Sequence, residues 1–149
     1  MDMTHTVVDT LERWQGRPQR FPPQPLARRP RVSVVIPCYR YGRYLEGAVA
    51  SALDQAGVDV DVLIVDDASP DDSAAAARSI VERTPHVRLE AHHENRGHIA
   101  TYNHGLSLVD GEYVVVLSAD DLLAPDSLTR SVALLEAHQG VGFCYGHSP

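Results

Sequence analysis

From residue 32 onward, short apolar runs rich in β-branched residues alternate with longer segments of helical periodicity. The apolar runs occupy residues 32–37, 60–65, 87–91, 113–117 and 141–145. The helical segments occupy residues 44–55, 71–83, 98–109 and 125–138. In the first of these segments, Leu45, Val49 and Leu53 recur at helical spacing. Strand–helix units repeated in this way predict an α/β fold with a mostly parallel sheet flanked by helices.

Local signals refine two of these elements. Residues 32–37 and 113–117 are nearly continuous in apolar side chains, which is typical of strands covered by helices on both faces. Pro125 and the acidic Asp126 favour a helix N-terminus, because proline fits the first turn and the helix dipole stabilises a carboxylate there. We therefore expect the last helix to begin at residue 125.

Residues 1–31 differ in character from the rest of the chain. Residues 7–15 carry a short helical pattern, and residues 16–30 contain five prolines and no hydrophobic period. Proline at that density disfavours both helix and sheet. We therefore expect residues 1–31 to form a flexible Pro/Arg-rich N-terminal arm and residues 32–149 to form the folded domain.

The composition narrows the functional classes. The chain has 149 residues, 44% hydrophobic and 22% charged, with a net charge of −7, as expected for one globular domain. An acidic chain of this kind lacks the arrays of basic residues that bind nucleic acid. No apolar run reaches the length of a membrane span, and no signal-peptide core is present. Cys38 and Cys144 are too few for a disulfide framework, which favours a reducing, cytoplasmic location.

Two pairs of carboxylates follow predicted strands. Asp66 and Asp67 come directly after the second apolar run, and Asp120 and Asp121 follow the fourth. Because parallel strands end at one edge of a sheet, we expect both pairs to lie at a ligand-binding crevice. Neighbouring carboxylates repel unless a cation or hydrogen-bond donors neutralise them. A hard divalent ion, Mg²⁺ or Mn²⁺, is the simplest partner, and such an ion usually carries a substrate phosphate.

The glycine-rich phosphate loops of other α/β proteins are missing from this sequence. It contains neither a P-loop pattern nor a dinucleotide-binding fingerprint after the first strand. The third acidic pair, Asp71 and Asp72, is interpreted as a turn or helix cap. Phosphate binding is therefore predicted to depend on the metal ion.

Four short sequence blocks follow one another along the folded domain. They are VSVVIPCY-RYGRYL from residue 32, LIVDDAS from residue 63, NRG from residue 95, and GEY followed by LSADD between residues 111 and 121. In this order and spacing they resemble the family 2 glycosyltransferases, which have the GT-A, nucleotide-diphospho-sugar transferase fold. The resemblance extends over about residues 32–146 and implies a Rossmann-like sheet.

The resemblance also implies roles for individual residues. In the family, the segment equivalent to Pro37, Cys38 and Tyr39 lines the pocket for the nucleotide base, so the ring of Tyr39 is expected to lie against that base. Asp67 is similar to the residue that hydrogen-bonds the base edge, since a fixed carboxylate suits a ring N–H. Asp66 is expected to hold the loop.

The last block corresponds to the D-x-D region of the family. Asp120 and Asp121 are expected to bind the ribose and the metal that bridges the diphosphate. Ser118 stands where the common form has aspartate, so Asp120 and Asp121 rank above Ser118 as ligands. Arg96 either reaches a phosphate of the donor or is an ordinary surface arginine.

Five histidines lie in or between the predicted elements. They are His86, His92, His93, His98 and His104. They share neither a helical face nor a zinc-binding spacing. We therefore predict that they occupy solvated loop and helix positions.

The resemblance implies an enzyme that binds a nucleotide-diphosphate sugar and transfers the sugar, with inversion, to a hydroxyl of a glycan, lipid or protein acceptor. Family members continue with a section that carries the catalytic acid, and no residue here is positioned as general base. The chain is therefore expected to be truncated at the C-terminus and completed by a missing part or a partner, including one at the inner membrane face.

The alternative is a non-catalytic or degenerate nucleotide-sugar-binding module. A receiver-type phosphoacceptor domain is disfavoured, because it needs an acid pair after its first strand and a late lysine.

Overall fold

The computed structural model describes residues 25–145, in which strands and helices alternate. The elements are β1 (Arg31–Cys38), α1 (Gly42–Leu53), β2 (Asp59–Asp66), α2 (Ser73–Arg83), β3 (Val87–Ala91), α3 (His98–Ser107), β4 (Tyr113–Val116) and α4 (Ser127–Ala137). The strands form one parallel sheet in the order β3-β2-β1-β4, so the predicted α/β fold is confirmed. None of the described helices is long and apolar enough to cross a lipid bilayer.

Helices pack on both faces of the sheet, because successive side chains of each strand point to opposite sides. Val34, Ile36 and Ile64 are fully buried on the face that α1, α2 and α4 cover. Val35 and Val65 are fully buried on the other face, against α3. Each of these side chains contributes about 1.5–3 kcal/mol through burial alone. The core therefore holds the carboxyl ends of β1 and β2 in a fixed relation.

The strand β4 is less covered than the sequence predicts. Its residues Val114 and Val116 are 49% and 40% exposed. Val116 is in register with Val35, on the face of the sheet where α3 packs on β1 and β2. The prediction that residues 113–117 are covered on both faces is therefore wrong, because α3 lies over the two central strands rather than over β4.

The fifth predicted strand, residues 141–145, is not formed. This segment is irregular, and Val141, Phe143 and Tyr145 are 48%, 75% and 85% exposed. A strand needs a hydrogen-bonding neighbour, and within the described part of the chain the sheet ends at β4. The alternating apolar pattern here therefore corresponds to exposed side chains.

The helix α4 begins two residues later than predicted and is capped by a distant side chain. Asp126 adopts a left-handed conformation with φ of 59°, and its side chain makes no capping hydrogen bond. The buried Gln55 accepts the Leu128 N–H at 3.1 Å and donates to the Ala124 carbonyl at 3.0 Å. Pro125 therefore lies in the turn before the helix, and the cap comes from the segment after α1.

Replacing Gln55 with alanine is expected to lower the free energy of unfolding by about 1–3 kcal/mol, since the N–H of the buried Leu128 loses its acceptor and the Ala124 carbonyl loses a donor. Urea denaturation followed by circular dichroism measures this change. The exposed Gln139 provides the matched control, and its replacement with alanine should leave the urea midpoint close to that of the parent. Equal losses in the two variants would contradict the capping role.

Only residues 25–31 of the predicted N-terminal arm are among those described. Arg28 forms ion pairs with Glu112 and Glu136, at 2.6 and 2.8 Å. The helix predicted over residues 7–15 lies outside the described residues. The flexible arm therefore stays a prediction for the segment before residue 25.

Candidate functional site

A cavity of about 490 Å³ lies where β1, β2 and β4 end and α3 begins. Five predicted site residues line it, namely Pro37, Cys38, Tyr39, Asp67 and Asp120. The other lining residues are Tyr41, Asn95, Gly97, His98, Thr101, Tyr102, Ser118 and Ala119. This volume is typical of a small-molecule site, and its position at the carboxyl edge of a parallel sheet matches the expected crevice.

Three predicted site residues are not in the lining of this cavity. Asp121 and Arg96 are exposed. Asp66 is 2% exposed, and its Oδ2 accepts the Ser69 N–H at 3.1 Å, which ties the carboxylate to the loop after β2. Its Oδ1 has no hydrogen-bond partner among the described residues.

The loop after β1 places aromatic side chains at the cavity. Tyr39 and Tyr41 are about two-fifths exposed, so both rings are accessible to a ligand. Between them Arg40 has φ of 64°, and its N–H donates to the Ser69 Oγ at 3.0 Å. This hydrogen bond joins the loop after β1 to the loop after β2. Beneath them, burial raises the pKa of the Cys38 thiol, which stays neutral at pH 7.

Asp67 is a buried carboxylate in the wall of the cavity. Its Oδ1 accepts the Arg96 N–H at 2.8 Å, and its Oδ2 accepts the Gly97 N–H at 2.9 Å. The Nδ1 atom of His92 lies 2.8 Å from Oδ1. Burial favours the neutral carboxyl, but the hydrogen bonds, including one with Thr101, outweigh it and lower the pKa of Asp67 below its usual value. Asp67 is therefore charged at neutral pH and fixes the segment that enters α3.

His92 differs from its sequence prediction. His86, His93 and His98 are exposed, as predicted, but the ring of His92 is completely buried between Asp67 and His104. The strand register contains the signal for this position. β2 and β3 pair in parallel with Asp66 opposite Ala91, so the next residues, Asp67 and His92, also come side by side. The prediction of a solvated loop position is wrong, because the pairing of β2 with β3 brings His92 beside the buried Asp67.

The loop after β4 carries two exposed carboxylates. Asp120 and Asp121 are both exposed, and the Asp121 N–H donates to the Ser118 carbonyl at 3.0 Å in a tight turn. Within residues 25–145, no three His, Cys, Asp or Glu side chains are grouped as a ready-made metal centre. Mg²⁺ and Mn²⁺ sites that serve phosphates need only one or two carboxylates, with water and phosphate oxygens completing the shell. Asp120 at the cavity and Asp121 beside it fit that requirement.

Comparison with protein families matches residues 33–148 to the family described as Glycosyl transferase family 2. The chain is 35% identical over 112 residues to an uncharacterized glycosyltransferase of Nostoc, alr2836, covering 75% of the chain and 35% of the relative. It is 37% identical over 108 residues to the succinoglycan biosynthesis protein ExoO of Rhizobium meliloti, covering 72% and 30%. The chain thus spans about a third of the length of these curated relatives.

Solved structures show the same fold. A mannosyltransferase from Pyrobaculum calidifontis, solved in complex with GDP-Man and Mn²⁺, superposes with a TM-score of 0.71 at 31% identity, covering 88% of this chain and 39% of the other. Staphylococcus aureus TarS, residues 1–349 in complex with UDP-GlcNAc, gives a TM-score of 0.66 at 22% identity, covering 73% and 32%. The second likeness supports the fold alone. The four-stranded sheet and its helices correspond to part of a GT-A fold.

Proposed function

The chain belongs to the family 2 glycosyltransferases, and we propose that its cavity binds a nucleotide-diphosphate sugar through a divalent metal ion for transfer of the sugar to a hydroxyl acceptor. The observation that carries this proposal is the placement of Tyr39, Asp67 and Asp120 around one cavity at the ends of three strands. The exposed ring of Tyr39 suits packing against a base, and the buried carboxylate of Asp67 suits a ring N–H of that base. The exposed carboxylate of Asp120 suits a metal ion bound to a diphosphate. A solved relative that holds GDP-Man with Mn²⁺ supports the ligand class.

In this proposal the base enters between the loop after β1 and the start of α3. The ring of Tyr39 packs against the base, with Pro37 and Cys38 forming the floor. Asp67 accepts a hydrogen bond from the base edge. Its two oxygens offer about four acceptor positions, and the Arg96 and Gly97 N–H groups and His92 occupy three of them at 2.8 to 2.9 Å. The base edge is proposed to take the position of the Thr101 hydroxyl, which can donate to the Gly97 carbonyl at 3.0 Å instead. The Asp66 carboxylate stabilises this arrangement by accepting the Ser69 N–H in the loop after β2.

Asp120 and Asp121 are proposed to hold Mg²⁺ or Mn²⁺ against the diphosphate. When bound, the ion acts as a Lewis acid that neutralises the charge of the departing nucleoside diphosphate. Ser118 lines the cavity beside Asp120 and offers a neutral oxygen. Arg96 is exposed next to Gly97 of the cavity wall, where its guanidinium is proposed to reach a donor phosphate.

We also propose that the acceptor is a hydroxyl group of a glycan, lipid or protein and that the transfer proceeds with inversion. Inversion needs a general base within hydrogen-bond reach of the acceptor hydroxyl. The resemblance assigns none of the described residues to that role. Because the chain spans about a third of its relatives, a partner chain or further sequence is proposed to supply it. Cys38 and Cys144 are unpaired, which supports a reducing, cytoplasmic setting that includes the inner membrane face.

A second candidate function is a donor-binding module without catalysis of its own. Ser118 favours it, because this residue stands where the family's common form has aspartate and leaves one carboxylate fewer for a metal ion. An assay for sugar transfer and for hydrolysis of the donor separates the two candidates. Turnover by residues 1–149 alone would exclude the binding module, whereas metal-dependent binding without turnover would support it.

The donor site is tested by calorimetric titration with UDP-, GDP- and TDP-sugars, with and without Mn²⁺. We expect Mn²⁺ to tighten binding of at least one donor by about tenfold or more, since metal and diphosphate bind together. The double variant Asp120→Asn, Asp121→Asn should lose this metal effect. Asp126→Asn is the matched control, because Asp126 is an exposed carboxylate of the same loop that does not line the cavity. Binding that is indifferent to both the metal and the double variant would refute the site.

A further inference from the structure

A chain of hydrogen-bonded side chains leads from the cavity wall to the surface of α3. The Oδ1 atom of Asp67 lies 2.8 Å from Nδ1 of His92, and Nε2 of His92 lies 2.8 Å from Nδ1 of His104. The centroids of the two imidazole rings are 5.0 Å apart and their planes differ by 28°, so the rings meet edge to edge through this hydrogen bond. The His92 side chain has no exposed surface, whereas His104 is partly exposed. Protons therefore exchange with solvent through His104.

The geometry limits how many protons this array can hold. A charged Asp67 only accepts hydrogen bonds, so Nδ1 of His92 carries a proton. The 2.8 Å contact between His92 and His104 then needs one proton between two nitrogens. That condition is met when both rings are neutral, and also when either ring alone is cationic. If both rings are cationic, two N–H groups face each other and the contact breaks.

Breaking this contact would affect the cavity through Asp67. The carboxylate that accepts from His92 also accepts the backbone N–H groups of Arg96 and Gly97. The Asp67 carbonyl accepts from the Asn95 side chain at 3.2 Å. Asn95, Gly97 and Asp67 all line the cavity. A displaced His92 ring therefore changes the hydrogen bonding of one cavity wall.

We infer that His92 and His104 are positioning residues for Asp67 and that uptake of a second proton by the pair weakens donor binding. The inference rests on the proposed donor site. While the His92–His104 pair holds at most one added proton, the hydrogen bonds of the cavity wall around Asp67 stay intact, and the donor binds with full affinity. As the pH falls through the second protonation, His104 turns to solvent, the buried His92 loses its partner, and affinity is lost. His104 is therefore the group through which pH reaches the donor site.

Other titratable groups lie on the segments packed around the pair. They are Asp66 on β2, Arg88 and Glu90 on β3, His93, Glu94 and Arg96 in the following loop, and His98 and Tyr102 on α3. The lowered pKa of Asp67 keeps that carboxylate charged throughout the range in which histidines titrate. A change of the array between about pH 7.5 and about pH 5.5 is therefore assigned to the histidines rather than to Asp67.

The first test uses the free protein and needs no donor. Ring nitrogen chemical shifts from ¹⁵N NMR report the protonation of His92 and His104, and hydrogen exchange reports the protection of the Arg96 and Gly97 amides. We expect the two rings to take up their added protons in two separate steps, and the amide protection to fall with the second step. Two cationic rings with unchanged protection would overturn the inference.

The second test measures donor affinity for the parent and three variants at about pH 7.5 and about pH 5.5. The parent is expected to bind more weakly at the lower pH, by up to about tenfold for each pH unit below the second protonation. His104→Asn keeps a neutral partner for His92 that can donate or accept, so its affinity should change less than about twofold over this range. His104→Ala should bind weakly at both pH values, with the asparagine variant restoring affinity.

His93→Asn is the matched control, since His93 is exposed and adjacent to His92. It should keep the pH profile of the parent. Because each variant binds the same donor and metal, their own pH dependence cancels in the comparison, and thermal unfolding verifies that each variant is folded. An identical pH profile for the parent and His104→Asn would overturn the inference. If no donor binds at any pH, the proposed function fails, and the NMR and exchange experiment alone decides the role of the pair.

Discussion

Replacing Asp67 with asparagine is expected to lower the free energy of unfolding by about 3–5 kcal/mol at pH 7, the range for loss of one partner from a buried charged network. The carboxylate offers two acceptor oxygens to the Arg96 and Gly97 N–H groups and to His92. Asparagine has one acceptor oxygen, so its amide N–H group would face a donor. Urea denaturation, followed by circular dichroism, measures the loss.

The lowered pKa of Asp67 predicts the direction in which the stability of the domain changes with pH. The pKa of Asp67 is lower in the folded protein than its usual value, so its stabilisation is complete above about pH 4 and is lost as the pH falls through the folded pKa. The asparagine variant should lack this component of acid unfolding. Asp110→Asn is the control, because Asp110 also has a lowered pKa, caused by the Arg31 guanidinium, but is exposed. A similar change in both variants would contradict the assignment to Asp67.

Opposite effects on stability are expected when two helical glycines are each replaced with alanine. In α3, a Cβ at Gly105 would lie 2.5 Å from Val35 Cγ1 and 3.2 Å from Val65 Cγ2, in the packed core. We expect Gly105→Ala to cost about 2–3 kcal/mol, since overpacking exceeds the gain in helix propensity. In α1, a Cβ at Gly47 would meet only Leu122 Cδ2 at 3.3 Å, the end of an exposed side chain. Gly47→Ala should therefore stabilise the domain by up to about 1 kcal/mol.

The consequence of Gly105→Ala for the site follows from the position of α3. This helix contributes Thr101 and Tyr102 to the cavity, so a helix displaced from the sheet should also weaken donor binding. Thermal unfolding and donor titration of both glycine variants test the pair. A Gly105→Ala protein as stable as Gly47→Ala would show that α3 does not need close contact with the sheet.

The strands were predictable from sequence wherever a run of β-branched residues had a partner strand. Residues 87–91 are predicted and observed with the same bounds, and β1 and β2 extend one residue beyond the prediction at each end. The segment 141–145 has a similar pattern but no neighbouring strand among the described residues. Strand pairing is a contact between distant segments, so local periodicity alone does not specify it.

Some features of the candidate site were also predictable from the sequence, whereas others were not. The spacing of the strand ends predicts Asp67 and Asp120 at one crevice, because parallel strands share a carboxyl edge, and the family resemblance adds Tyr39; all three line the cavity. The partnership of Asp67 with His92 depends on the register of β2 and β3, and that of Gln55 with Leu128 joins segments far apart in the chain. Such contacts depend on tertiary packing, so the sequence pattern carries little signal for them.

The sheet order has a consequence for how the domain assembles. β1, β2 and β3 pair with their neighbours in sequence, whereas β4 must return across the sheet to pair with β1. Closing that longer loop costs more entropy, so the β1–β3 unit is expected to form early and β4 to dock late. The loop with Asp120 follows β4, so the cavity is completed in this last step. A ligand that contacts both Asp67 and Asp120 would therefore bind only the state in which β4 is docked, and the domain should gain stability against unfolding when its cavity is filled.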